Sequence, residues 1–197
     1  MRVFEDGFVL SATDLVGYLN CRHLSDLDRA VAEGARPKPK SWNPLLEVLW
    51  ERGAIHEQSY VEHLKASELD VIRIEGVDVG PEAIAATIEA MQHGVPVIVQ
   101  GALANGKWSG RADILRRVVG QSRFGDWSYE PIDTKLARET KAGAILQLCV
   151  YADLLTQAQG STPEYVHVVA PWTDFKPFHY LSDSNTQDGS NSMTGCR

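Results

Sequence analysis

The sequence predicts an α+β domain in which helices cover a short sheet. Three strand-like runs follow one another in the middle of the chain, and helical patterns lie before and after them. The chain has 197 residues, of which 44% are hydrophobic, and this suffices for one domain with a sizeable core. We therefore expect residues 1–181 to form a single domain, followed by a disordered polar tail over 182–197.

The helices are predicted from apolar periodicity and from residues that cap helix ends. Ser11 and Asp14 have the spacing of a capping box, and Gly34 ends the second helix. The third helix carries an inward-facing stripe that includes His56. The other members of this stripe are Leu45, Leu49, Gly53, Tyr60 and Leu64. The predicted helices are 11–20, 25–33, 43–66, 81–93 and 143–158.

The strands are predicted from short apolar runs that end at turn residues. Asn105 and Gly106 form a tight hairpin turn between two of these runs, and a longer loop, 120–125, joins the next pair. The predicted strands are 70–74, 96–103, 108–119, 127–136 and 164–170.

The composition of the chain bears on its location and on its binding partners. No window approaches the run of about 18 apolar residues that a membrane-spanning helix needs, so we expect no membrane association. Three scattered cysteines are too few for a disulfide framework, which favours the cytoplasm. The net charge of −7 argues against a nucleic-acid partner, but a divalent cation held by carboxylates would invert the local field.

The candidate for chemistry is a carboxylate beside an ammonium group. Asp133 and Lys135 are two residues apart on a predicted strand, so both side chains leave the same face. If this strand forms an antiparallel hairpin with the one before it, the centre falls near Arg123. Asp113 and Asp133 are each ten residues from that centre, so they would oppose each other with β-carbons roughly 5 Å apart.

Two carboxylates that close repel each other unless a positive charge lies between them. Mg²⁺ is a natural candidate, because one or two carboxylates together with waters and phosphate oxygens hold it. Lys135 would then orient or deprotonate the attacking water, or neutralise charge that develops on a phosphate. The alternative is an ordinary surface ion pair between Asp133 and Lys135, with Asp113 as an acid near a turn.

Three further polar residues lie on faces that the pattern turns inward. Gln147 and Tyr151 have i, i+4 spacing on an apolar helix, so their polar tips need partners at the sheet. His56 shares the apolar stripe of the third helix, and a neutral imidazole can ligate a metal. The alternatives are backbone partners for Gln147 and Tyr151, and an ordinary core role for His56.

Taken together, these residues resemble the RecB-like branch of the PD-(D/E)XK nucleases. Four motifs of this branch occur in order over about residues 10–170, and two N-terminal segments, 11–15 and 19–23, resemble a stand-alone bacterial subfamily of RecB-like nucleases. The motifs are a histidine after a glycine on a helix (Gly53 to His56), Gly-x-x-Asp (Gly110 to Asp113), Asp-x-Lys (Asp133 to Lys135) and Gln-x-x-x-Tyr (Gln147 to Tyr151).

The resemblance implies a restriction-endonuclease-like core of α/β/α type, with a short central mixed sheet, flanking helices and additional N-terminal helices. It implies Mg²⁺ or Mn²⁺ as the cofactor and Lys135 as the catalytic lysine. Gln147 and Tyr151 would contact DNA or support the site. The implied metal ligands are His56, Asp113, Asp133 and the carbonyl of Thr134.

The chain departs from its relatives in two respects. Some of them, including CRISPR-associated exonucleases, hold an iron–sulfur cluster on four cysteines, whereas this chain has only Cys21, Cys149 and Cys196, so we predict no cluster. Family members usually continue into further helices and often into a helicase-type region. A helicase-type partner or a missing C-terminal region is therefore expected.

The function expected from this resemblance is divalent-metal-dependent hydrolysis of DNA, in repair, recombination or defence. Single- and double-stranded DNA are both open as substrates. The alternative from another class is a catalytically inactive nucleic-acid-binding module of a larger complex. A third reading, a hydrolase of small phosphoesters, fits a metal site but not the four motifs.

Overall fold

The computed structural model describes residues 1–4, 7–39, 43–137 and 140–182. Helices flank a six-stranded mixed sheet, so the predicted α+β class is confirmed. In chain order the elements are β1 (Arg2–Phe4), β2 (Gly7–Val9), α1 (Ala12–Asn20), α2 (Arg22–Ala32), α3 (Pro44–Ala66), β3 (Val71–Arg73), α4 (Pro81–Gln92), β4 (Val97–Ala104), β5 (Ser109–Ser122), β6 (Gly125–Thr134), α5 (Ala142–Gln159), β7 (Tyr165–Val169) and β8 (Phe178–Leu181).

The six strands of the main sheet lie in the order of the chain, from β3 to β8. The pairs β3–β4 and β6–β7 are parallel, whereas β4–β5, β5–β6 and β7–β8 are antiparallel. Parallel neighbours need a crossover connection, and α4 and α5 provide the two that this sheet requires. The sheet is therefore built from two crossover units around an antiparallel centre.

Three strands were not expected from the sequence. β1 and β2 form a separate antiparallel hairpin at the N-terminus, and β8 adds an antiparallel edge to β7. Each has only three or four residues, which is too short for an alternating pattern to stand out. Pairing with a neighbouring strand, rather than the local sequence, makes them strands.

Helices cover both faces of the sheet. On one face, Met91 of α4 and Leu148 and Leu155 of α5 pack against the strand residues Ile98 and Leu115. On the opposite face, α3 contributes a second core, which contains Tyr60, Val61 and Leu64 from the helix and Val97, Val99, Ile114, Ile132 and Val169 from the strands. Candidate residues can therefore be assigned to the α5 side or to the α3 side of the sheet.

The predicted capping box of the first helix and the predicted hairpin turn at Asn105 are both present. Asp14 N–H donates to Ser11 Oγ (3.3 Å) and Ser11 N–H donates to an Asp14 carboxylate oxygen (2.7 Å), which completes the capping box. In the hairpin turn, Asn105 Oδ1 accepts from Trp108 N–H at 2.7 Å, and Gly106 has a φ of +87°. The second helix begins at Arg22, three residues before the predicted start.

The predicted stripe on the third helix is correct only in its C-terminal half. His56, Tyr60 and Leu64 are buried, whereas Leu45 is 65% exposed and Leu49 is 45% exposed. Periodicity identifies an apolar face, but it does not show how much of that face meets a partner. The first turns of α3 expose apolar side chains.

The end of the described chain is packed on the fold. Ser182, the first residue of the predicted tail, is buried, and its backbone N–H donates to the Glu164 carbonyl at 3.1 Å. The rest of that tail, 183–197, lies outside the described residues. Within the described ranges, each helix is too short or too polar to cross a lipid bilayer.

Candidate active site

The hairpin of β5 and β6 has the register that the sequence predicts. Ile114 pairs with Ile132 and Val119 pairs with Trp127, and each pair is symmetric about Arg123. The register shifts only beyond Val119, next to the loop. The ladder ends at the pair of Ile114 with Ile132, and Asp113 and Asp133 are the next residue on each strand.

The Asp133 carboxylate lies at the centre of the candidate site. Its residue is 0% exposed, and Lys135 Nζ donates to Asp133 Oδ1 at 2.7 Å. Among the described residues, no group hydrogen-bonds to the other oxygen, Asp133 Oδ2. The Asp113 carboxylate lies close enough for its negative charge to act on Asp133. An unpaired, buried carboxylate oxygen beside a second carboxylate is costly to fold and is typical of functional sites.

Burial, and after it the negative charge of Asp113, raise the pKa of Asp133 to about 7. The ammonium of Lys135 opposes both effects but does not cancel them. A divalent cation between the two carboxylates would remove the repulsion and would favour the charged form of Asp133.

Thr134 holds the second carboxylate in place. Its backbone N–H donates to Asp113 Oδ2 at 2.9 Å, and its hydroxyl donates to the same oxygen at 3.0 Å. Asp113 is half-buried, so it is the more accessible of the two acids. The resemblance implies that the Thr134 carbonyl is a metal ligand, and this stays a prediction. Its amide and hydroxyl have a positioning role that the sequence reasoning missed.

A backbone distortion lies opposite Asp113. Val99 pairs with Ile114 and Gly101 with Ala112, so Gln100 is the residue of β4 that faces Asp113 across the ladder. Gln100 has a φ of +57°, a left-handed conformation that non-glycine residues adopt at a cost.

Two contacts hold this conformation. The Gln100 side chain donates to both carboxylate oxygens of Glu57 at 3.0 and 3.1 Å, and the Gln100 carbonyl accepts from Arg111 Nε at 3.1 Å. In a regular strand, residues two apart point to the same face of the sheet. Ala112 instead packs in the core on the α5 side and Ile114 in the core on the α3 side, so the alternation of side chains in β5 is interrupted at Asp113. No sequence signal marks Gln100 for this conformation.

Gln147 and Tyr151 lie on one face of α5, as predicted. Gln147 Nε2 donates to the Tyr151 hydroxyl at 3.1 Å, and Tyr151 is 5% exposed. Burial raises the pKa of Tyr151, Gln147 opposes this, and the charges of Asp113 and Asp133 add to the rise. The phenol therefore stays protonated, close to the acidic pair.

The glycine of the Gly-x-x-Asp motif makes room for this tyrosine. A β-carbon at Gly110 would lie 2.6 Å from Tyr151 Cε1, which is far inside van der Waals contact. By contrast, a β-carbon at Gly53, the glycine before His56, would meet nothing within 4 Å. Steric need therefore explains one of the two motif glycines and not the other.

His56 lies on the α3 side of the sheet. It is 7% exposed, its Nε2–H donates to the Val169 carbonyl at 3.1 Å, and its ring stacks on Phe175 with a centroid distance of 6.4 Å. The same carbonyl accepts from the Lys135 backbone N–H at 3.0 Å. We expected the imidazole to point at the carboxylate pair. Instead its Nε2 bonds to the backbone beside it, and its role as a ligand stays a prediction.

A cleft of about 320 Å³ opens beside Lys135 and Gln147. Lys141 and Trp172 also line it, and Val16 of α1 forms part of the wall. A molecule in this cleft would meet two ammonium groups and an indole ring, and one of these ammonium groups, that of Lys135, bonds to the buried Asp133. The arrangement suits an anion with an apolar part.

Among the described residues, no group of three histidine, cysteine, aspartate or glutamate side chains is arranged to hold a metal. The groups at the candidate site that could hold a cation are the two carboxylates of Asp113 and Asp133, with the Thr134 carbonyl as the expected third. This set fits Mg²⁺ or Mn²⁺, which accept oxygen ligands and keep several waters. Asp133 Oδ2 supports the fit, because a cation would give this oxygen the partner that it lacks.

No family model, curated protein or solved structure matches this chain. Assignment to the RecB-like nucleases therefore rests on the four motifs and is a proposal. The geometry brings together the parts of three motifs, namely Gly110 to Asp113, Asp133 to Lys135 and Gln147 to Tyr151. It leaves His56, from the remaining motif, bonded to backbone on the other side of the sheet.

Proposed function

We propose that this chain is a divalent-metal-dependent nuclease of the RecB-like kind, which hydrolyses phosphodiester bonds in DNA. The observation that supports this most is the Asp133 carboxylate, which is fully buried, lies beside Asp113 and has one oxygen without a partner among the residues that the structure describes. Replacing Asp133 by an apolar residue would remove a costly group, so its presence in the core suggests a functional role.

The residues of this chain have different roles at the site. Asp113 and Asp133 would hold Mg²⁺ or Mn²⁺, and Thr134 keeps Asp113 in position through its amide and hydroxyl. When bound, the cation supplies Lewis-acid activation of the phosphodiester and of water. Tyr151 and Gln147 exclude water from the inner side of the acids and present a phenol donor there.

Lys135 has a different role from the acids. Its ammonium bonds to Asp133 Oδ1, and its side chain is 33% exposed, so it is accessible from the cleft as well as from the buried carboxylate. A cation between the acids would satisfy Asp133 and would free Lys135 to face the phosphate. There it would stabilise the negative charge that develops during attack.

The test is a cleavage assay on the purified full chain. Single- and double-stranded DNA are incubated with Mg²⁺, with Mn²⁺ or with a chelator, in parallel for the parent and for Asp133→Asn and Lys135→Ala. Asp153→Asn is the matched control, because Asp153 is an exposed acid of α5 that accepts a hydrogen bond from Gln157 at the surface. We expect metal-dependent cleavage in the parent and the control and its loss in the two site variants. Equal cleavage by all four proteins would contradict the assignment.

A second candidate is a nucleic-acid-binding module without cleavage. The observation that favours it is the ion pair of Asp133 with Lys135, which already neutralises part of the charge that a cation would neutralise. In that case DNA binding would occur without added metal, no cleavage would appear with Mg²⁺ or Mn²⁺, and Asp133→Asn would bind DNA like the parent.

A further inference from the structure

Two histidines face each other at the outer edge of the main sheet. His167 of β7 and His179 of β8 are direct cross-strand partners, and their Nδ1 atoms are 2.8 Å apart. The rings meet edge to face, with centroids 4.9 Å apart and an interplanar angle of 88°. Both Nδ1 atoms therefore converge on one point beside the edge strand.

A buried carboxylate fixes the inner histidine. His167 Nε2–H donates to Glu130 Oε2 at 2.7 Å, and the second oxygen of Glu130 accepts from the Tyr165 backbone N–H at 2.9 Å. Glu130 is 5% exposed and His167 is 7% exposed. Metal-bound histidines commonly donate their other ring N–H to a carboxylate in this way, which fixes the orientation of the ring.

The two facing nitrogens compete for one proton. The 2.8 Å contact requires a single proton between the two Nδ1 atoms, which one nitrogen donates and the lone pair of the other accepts. A metal ion between the two Nδ1 atoms would take the place of this shared proton.

We propose that His167 and His179 form a binding site for a zinc-class transition-metal ion, with Glu130 as the residue that positions His167. Zinc lies about 2.0–2.1 Å from each imidazole nitrogen in tetrahedral geometry, which places the two nitrogens roughly 3.3 Å apart. The observed pair must open by about half an ångström, and His179 is exposed on an edge strand, where such a shift is small. Waters complete the coordination shell.

This site is separate from the acidic pair. Glu130 and Asp133 are three residues apart on β6, so their side chains leave opposite faces of the sheet. The ligand chemistry differs as well, because imidazole nitrogens favour zinc, nickel and copper whereas carboxylates favour Mg²⁺ and Mn²⁺. A cation here would join the edge strand β8 to β7, so it would stabilise the fold.

The test is zinc binding to the untagged full chain after treatment with a chelator. Calorimetry measures the affinity and stoichiometry, and thermal unfolding measures the change in Tm on addition of Zn²⁺. We expect one zinc ion per chain. His179→Ala should lose at least about tenfold in affinity, as should Glu130→Gln, which removes the orienting charge. His23→Ala is the control, because His23 is exposed near the thiol of Cys21 and is the obvious competing site.

Each outcome decides between the alternatives. Zinc should raise the Tm of the parent and of His23→Ala but not that of His179→Ala, and an excess of Mg²⁺ should not displace it. Asp133→Asn should keep zinc binding even where it loses nuclease activity, so failure of the proposed function and failure of this site are distinguishable. Absence of zinc binding, or zinc binding that survives His179→Ala, would overturn the proposal.

Discussion

Replacing Asp133 by Asn tests the electrostatics of the site without any substrate. The substitution preserves the shape of the side chain and removes a charge that lies in a 0% exposed position. Asn Oδ1 can still accept from Lys135 Nζ, and the repulsion with Asp113 disappears. We therefore expect the metal-free variant to be more stable than the parent at neutral and alkaline pH.

The magnitude follows from the pKa of Asp133. Burial and Asp113 raise this pKa from an ordinary value of 3.8 to about 7, so the folded state retains a proton that the unfolded state has lost. Stability of the parent is therefore lost as pH rises between about 4 and 7. One pKa unit corresponds to about 1.4 kcal/mol, so the loss reaches an upper limit of about 4 kcal/mol at pH 8.

The assay is denaturant unfolding of the parent, Asp133→Asn and Asp153→Asn at a series of pH values from 4 to 8 in a chelator. The free-energy difference between Asp133→Asn and the parent should grow with pH, whereas Asp153→Asn should follow the parent throughout. At pH 8, Mg²⁺ should stabilise the parent but not Asp133→Asn, because only the parent keeps both carboxylates. A difference that does not change with pH would refute the assigned burial and repulsion of Asp133.

Four further substitutions separate the roles at the site. Lys135→Ala should keep Mg²⁺ affinity, measured by calorimetry, while cleavage falls by about 10²- to 10³-fold; a parallel loss of metal binding would contradict its role. Gly110→Ala should lower the free energy of unfolding by about 1–3 kcal/mol through its clash with Tyr151, whereas Gly53→Ala should raise it by about 0.5–1 kcal/mol. Tyr151→Phe should cost about 1 kcal/mol for the lost Gln147 bond and leave Mg²⁺ affinity unchanged; a large loss of affinity would make the phenol part of the metal site.

The register of the β5–β6 hairpin could be predicted because it depends on residues close in the chain. A symmetric hairpin centred on Arg123 determines every pair up to the loop, and Ile114 with Ile132 follows that rule. Lys135 could be placed beside Asp133 by the two-residue period of a strand, and the 2.7 Å ion pair of the two follows that period. Neither step needed knowledge of distant elements.

Features that depend on distant contacts could not be predicted. His56 was correctly assigned to an inward face, but its partner, the Val169 carbonyl, lies more than a hundred residues further along the chain. β8, and with it the pairing of His179 with His167, exists only through its neighbour β7. The sequence predicts an ordinary strand conformation for Gln100. Its left-handed backbone conformation goes with the contacts to Glu57 and Arg111, which lie far away in the chain or on the next strand.

Two motifs that look independent in the sequence form one physical unit in the fold. Gly110 leaves the space that the Tyr151 ring fills, and Tyr151 in turn bonds to Gln147 on the next turn of α5. Tyr151 is buried so close to the acidic pair that both carboxylates raise its pKa. A larger residue at position 110 would therefore push α5 away from the sheet, hydrate Asp133 and lower the pKa of its carboxyl towards the ordinary value. Gly110→Ala should accordingly weaken the pH dependence of stability that Asp133 causes, and a variant that is destabilised while keeping the full pH dependence would show that the glycine and the acid act separately.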